Sequence, residues 1–173
     1  MIKNIPTIVI YFVFNWEIQM FGMTKRQFLK KSKKSLDEMG SSLLLIIQIM
    51  DKEIEKKISN NESSIRMDNI RKNIELVFSE FEKLSPPSKC FSLYHRILNA
   101  LIKLHEAVII NCESLKAEED GFEEESQEKL IESIDNLEEF REDFHTLVKD
   151  VRILLLKKNS LIESSERDKK WII

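Results

Sequence analysis

The stretch Cys90–Lys116, CFSLYHRILNALIKLHEAVIINCESLK, decides the reading of this chain, because it contains neither Gly nor Pro and opens just after Ser85-Pro86-Pro87. Tyr94, Ile97, Leu101, Leu104, Val108, Cys112 and Leu115 recur at steps of three and four, which puts them on one stripe of a helix. The paired prolines end the preceding helix and set the backbone for the start of this one. A second set, Leu98, Ile102 and Ile109 with Ala107 beside them, widens the apolar face. Such a helix wants neighbours on more than one side, and the expectation is a bundle built around it.

The rest of the chain agrees with that expectation. It has 173 residues with only three Gly and three Pro, and a third of the residues are charged. Such a composition favours long helices and few turns. Thr24-Lys25-Arg26-Gln27 has the spacing of a capping box, so a first helix should start there. Its stripe runs through Phe28, Leu29, Leu36, Met39, Leu43, Ile46, Ile47, Met50, Ile54 and Ile58. Ser59-Asn60-Asn61-Glu62 reads as a turn. A second helix is expected from about Ser63 to Leu84, with Ile70, Ile74, Val77, Phe81 and Leu84 in heptad register and a polar start that frays. Residues 118–122 form the third connection, where Asp120 and Glu123 have the spacing of another capping box. A fourth helix carries Leu130, Ile134, Leu137, Phe140, Phe144, Leu147, Val148, Val151 and Leu155, and its apolar period weakens past Lys158. Three short connections between four long helices imply an all-α, antiparallel up-down-up-down four-helix bundle over residues 24–158, with a C-terminal tail over 159–173.

Residues 1–23 form an apolar N-terminal extension. Ile5–Phe14, IPTIVIYFVF, is ten residues with only Thr7 polar, short of the roughly twenty that span a bilayer. Three readings stay open: a weak anchor or uncleaved signal, a non-native extension ahead of a start at Met20 or Met23, or an extra element packed on the bundle.

The charges are unevenly spread although the net charge is only -3. Lys25, Arg26, Lys30, Lys31, Lys33 and Lys34 form a basic cluster with no acid among them, while residues 118–143 carry thirteen acids against Lys129 and Arg141. In the expected topology the cluster gathers at one end of the bundle with Lys157 and Lys158, as a collar facing an anionic membrane surface. Nucleic acid is disfavoured, because the chain is acidic overall and no recognition motif or stacking platform accompanies the cations.

Catalytic, cofactor and metal sites find no support. A carboxylate-bridged di-metal bundle needs two Glu-x-x-His pairs, and only Glu142-Asp143-Phe144-His145 fits. His95 and His105 sit about 80° apart around a helix and cannot share an ion unaided. Cys90 and Cys112 would lie about 33 Å apart on one helix, too far for a disulfide. Cys90 is in a first turn, but His95 points to another face and no glycine loop offers an oxyanion hole. The functional expectation is a non-catalytic interaction or scaffold bundle with a protein partner or a second copy of itself, in the cytoplasm and at the inner face of the membrane. The competing class is a small-molecule or metal-binding bundle. An apolar face left uncovered, for instance beside Phe78, would mark a partner site.

Overall fold

Thr24 starts the first helix as its sequence spacing requires: its hydroxyl accepts from the Gln27 backbone N–H, and the Gln27 side chain accepts from the Thr24 backbone N–H at 2.9 Å. The computed structural model describes residues 22–169, with side chains described through residue 157. Four α-helices succeed one another: α1 (Lys25–Ile54), α2 (Asn60–Glu82), α3 (Phe91–Glu119) and α4 (Glu123–Lys169). No strand occurs among the described residues. The extension over residues 1–21 and the terminal Trp171-Ile172-Ile173 lie outside them.

Contacts between helices fix their directions. From α1 to α2, Phe28 meets Phe81 and Ser42 meets Asn73. From α2 to α3, Glu75 meets His105 and Phe81 stacks on Tyr94. From α3 to α4, Arg96 pairs with Asp150, Lys103 with Asp143 and Glu113 with Lys129. From α1 to α4, Gly40 faces Phe144 and Leu43 lines a groove with Leu137. In every case one helix ascends as its partner descends, so the four helices form an antiparallel bundle.

Most of the expected stripes form the core, but Ile47 and Ile54 of α1 and Val148 of α4, expected to face inward, are exposed where α1 and α4 leave grooves between them. Ile97, Leu101, Leu104 and Val108 of α3 are fully enclosed, together with Phe28, Met39 and Ile46 of α1, Ile74 and Phe81 of α2, and Phe140 and Leu147 of α4. Each large buried side chain contributes about 1.5–3 kcal/mol, against about 0–1 kcal/mol for an exposed ion pair, so this interior outweighs the many surface pairs. Tyr94 partly covers the end nearest Thr24, packing on Phe28 and Phe81 and donating its hydroxyl to the Glu82 carbonyl at 2.8 Å.

The widening of the α3 face differs from expectation. Ile102 is exposed and Leu98 and Ile109 are only partly covered, whereas Ala100, Ala107, Asn111, Ser114 and Ala117 are buried. Small residues on this side let α4 approach closely, and α3 with α4 is the most extensively packed pair. Ser133 donates to the Ala107 carbonyl and Ser114 to the Ser126 carbonyl, each at 2.8 Å. A hydropathy stripe cannot reveal such a seam, because its members are mostly small and two of the five are polar.

Connections also shift. α1 stops at Ile54, and Lys56 takes a left-handed φ of 53°. The Lys57 and Lys56 amides then return to the carbonyls of Lys52 and Glu53, the hydrogen-bond pattern of a Schellman C-cap. Ser59 caps α2, which therefore begins at Asn60 and not at Ser63, and its polar first turn is held by the Ser59 hydroxyl accepting from the Glu62 amide. Pro87 leads into a 3-10 turn, Ser88–Cys90, before α3. Asp120 caps the end of α3 and not the start of α4: Gly121 has φ +84°, and the Phe122 and Gly121 amides bond the Ala117 and Glu118 carbonyls. The helical backbone of α4 continues past Lys158 to Lys169.

Candidate functional site

The basic cluster arises where Phe28, Leu29, Ser32, Ser35 and Leu36 turn inward. With a core face of that period, the intervening Arg26, Lys30, Lys31, Lys33 and Lys34 face out, while Lys25, in phase with Leu29 and Ser32, is exposed because it opens the helix; all six are exposed. They cover the outward side of the first three turns of α1, about 14 Å of helix. The arrangement is a stripe along the flank of the bundle as much as a collar around its end.

Two of the six are engaged. Lys33 pairs with Asp37, and Lys34 lies 3.5 Å from Glu38 and 3.7 Å from Glu80. Lys25, Arg26, Lys30 and Lys31 have no carboxylate partner among the described residues. With Gly40 opposite Phe144, Lys157 of α4 comes level with the first turn of α1, as expected, and Arg152 lies one turn further in. The Lys158 side chain lies outside the described residues.

A recess of about 290 Å³ opens beside this stripe between α1 and α2, lined by Lys31, Lys34, Ser35, Glu80, Phe81, Lys83 and Leu84. Lys83 is the member that sequence reading misses. It is the C-cap of α2, and with Phe81 packed on Phe28 it returns to the end where α1 starts. A lone lysine before Ser85-Pro86-Pro87 carries no signal of its own; only the chain reversal brings it to the cluster.

The opposite end is acidic. α4 opens with Glu123, Glu124 and Glu125, beside the close of α3 at Glu118 and Glu119. Carboxylates in a first helical turn are stabilised by the helix dipole. A polar cluster sits inside this end: Glu53 of α1 meets Ser63 of α2 and Asn111 of α3. Burial pushes the Glu53 carboxyl up, and the hydrogen-bonding approach of Ser63 and Asn111 only partly opposes it. Ser63 and Asn111 are fully buried, yet Ser63 Oγ, both polar atoms of the Asn111 amide and Glu53 Oε1 lack a partner of good geometry among the described residues.

The histidines and thiols do not converge. His105 Nε2 lies 3.1 Å from Glu75 Oε1, His95 packs edge-on to Tyr94, and His145 touches the Phe144 ring. Among the described residues no group of three or more His, Cys, Asp and Glu side chains could hold a metal ion. Cys90 is buried at the start of α3 and Cys112 is partly covered. Burial pushes the Cys112 thiol up, away from the thiolate that nucleophilic chemistry needs.

The apolar surface left open is not beside Phe78, which packs against the core. Exposed apolar side chains do line the junction of α1 with α4, at Ile47, Ile54, Val148 and Leu156. No helix among the described residues is long and apolar enough to cross a membrane. Compared with known proteins, the chain matches no family model, no curated protein and no solved structure.

Proposed function

We propose that the protein is a non-catalytic interaction bundle that rests against an anionic membrane surface through the outward flank of α1. The observation that carries this reading is the set of four exposed cations, Lys25, Arg26, Lys30 and Lys31, in the first two turns of α1 without carboxylate partners among the described residues. The neighbouring lysine-rimmed recess beside Lys83 suits an anionic headgroup. The leaflet of fitting charge is the cytoplasmic one, which carries the anionic lipids. Each cation near such a surface contributes on the order of 1 kcal/mol, so the four together supply about 4 kcal/mol, or roughly a thousandfold in partitioning. The acidic end of the bundle is repelled by the same surface and faces away from it, free to meet a protein partner.

Flotation of the full chain with phosphatidylserine-containing and neutral vesicles tests this. The chain should float with the anionic vesicles at low salt, come off as ionic strength rises, and stay behind with the neutral ones. Replacing Lys25, Arg26, Lys30 and Lys31 by Gln should abolish flotation without changing the melting temperature, since all four are exposed. Equal flotation of the substituted chain, or equal flotation with neutral lipid, would overturn the proposal.

A further inference from the structure

Of the four pairs of neighbouring helices, α1 with α4 is the least extensively packed. Phe144 plugs the middle of their junction by seating its ring over Gly40, and an apolar groove opens on either side. The groove nearer Thr24 has a volume of about 450 Å³ and is walled by Leu36, Val148, Val151, Leu155 and Leu156. That volume lies in the range of sites that bury an apolar ligand, roughly 300–1,000 Å³. Arg152 stands at its rim.

The geometry points to the chain's own segment Ile5–Phe14 as the occupant of this groove, docked in cis in the absence of lipid. Reach supports it. Nine residues, 15–23, separate the segment from Thr24 and span up to about 30 Å. Leu36 is twelve residues along α1 from Thr24, about 18 Å of helix, which is well within that reach. The second groove, lined from Leu43 to Ile54 of α1, runs from about 28 to about 45 Å from Thr24, so only its near edge comes within that reach. A short tether also holds the segment at millimolar effective concentration, which favours its own groove over that of another molecule. Charge does not oppose it: between residues 4 and 24 the one charged residue is Glu17, in the tether, and the groove is lined by Arg152 beside the paired Lys33 and Asp37. While seated there, the apolar run is withheld from lipid and from other copies.

A benzophenone photocrosslinker placed at Phe12 of the full chain, irradiated at micromolar concentration without lipid, tests the inference independently of vesicle binding. Cross-links mapped by mass spectrometry should fall within one chain, on residues 148–156. The double substitution Val148→Glu with Leu156→Glu, at two exposed positions, should cut their yield at least tenfold while leaving the circular dichroism melt unchanged. Cross-links to a second copy, to the distant groove around Ile47 and Ile134, or to no site at all would overturn it.

Discussion

Glu53 shows how one side chain sets the pH dependence of this bundle. Burial raises its pKa above the ordinary glutamate range in the folded chain, so the folded state holds the carboxyl proton more tightly than the unfolded state does. The stability this confers is fully present below the unfolded pKa and is lost as pH rises through the folded value. Glu53→Gln removes the charge and keeps a donor for the Asn111 carbonyl oxygen. It should raise stability at pH 7 and leave it almost unchanged at pH 4, as read from denaturant midpoints at the two pH values. A second residue-scale test concerns the two left-handed caps. Lys56 at φ 53° adopts a conformation that costs an L-residue about 1 kcal/mol or more, whereas Gly121 at φ +84° adopts its own without strain. Lys56→Gly should therefore raise stability by about 0.5–1 kcal/mol and Gly121→Ala should lower it by about 1 kcal/mol, both measurable by urea unfolding. The glycine in the 118–122 connection announces a turn, but nothing in Glu55-Lys56-Lys57 announces the other. That cap is dictated by where α2 must begin once Ser59 bonds the Glu62 amide, which is a relation between two helices and not a local preference.

Among the elements, α3 and α4 are legible from their apolar period, which identifies most of the enclosed wide side chains but also counts Ile102 and Val148, which are exposed. Ile97, Leu101, Leu104 and Val108 are enclosed as their spacing requires. The period does not find the side of α3 that lies closest to another helix, since Ala100, Ala107 and Ser114 add almost nothing to a hydropathy stripe. Ala107→Leu fills a seam that has no room for it and should cost about 1–3 kcal/mol in thermal or denaturant unfolding, although Leu is both apolar and a good helix former. Gly40 has the matching role between α1 and α4. A Cβ built there lies 3.1 Å from Phe144 Cζ, so Ala gains helix propensity only by displacing that ring a few tenths of an ångström. Gly40→Ala should be close to neutral, and Gly40→Val, with two further carbons in the same space, should destabilise by about 1–3 kcal/mol.

For the molecule as a whole, the organising fact is that the antiparallel arrangement sorts charge by end. The start of α1, the close of α2 at Lys83 and Lys157 of α4 share one end, while Glu118, Glu119 and the first turn of α4 share the other. The basic cluster is legible in the sequence because it lies within ten residues, and its exposure is set by the inward stripe it interleaves. Lys83 and the α1–α4 grooves are not, because each is assembled from residues far apart in the chain. Lysine acetylation footprinting of the full chain on anionic vesicles tests membrane contact through α1 most directly. Protection should fall on Lys25, Lys30 and Lys31 and on the recess lysines Lys34 and Lys83, with Lys52 and Lys116 at the opposite end labelled as fast as in free solution. Uniform labelling across the bundle, or protection at Lys52 and Lys116 instead, would contradict it.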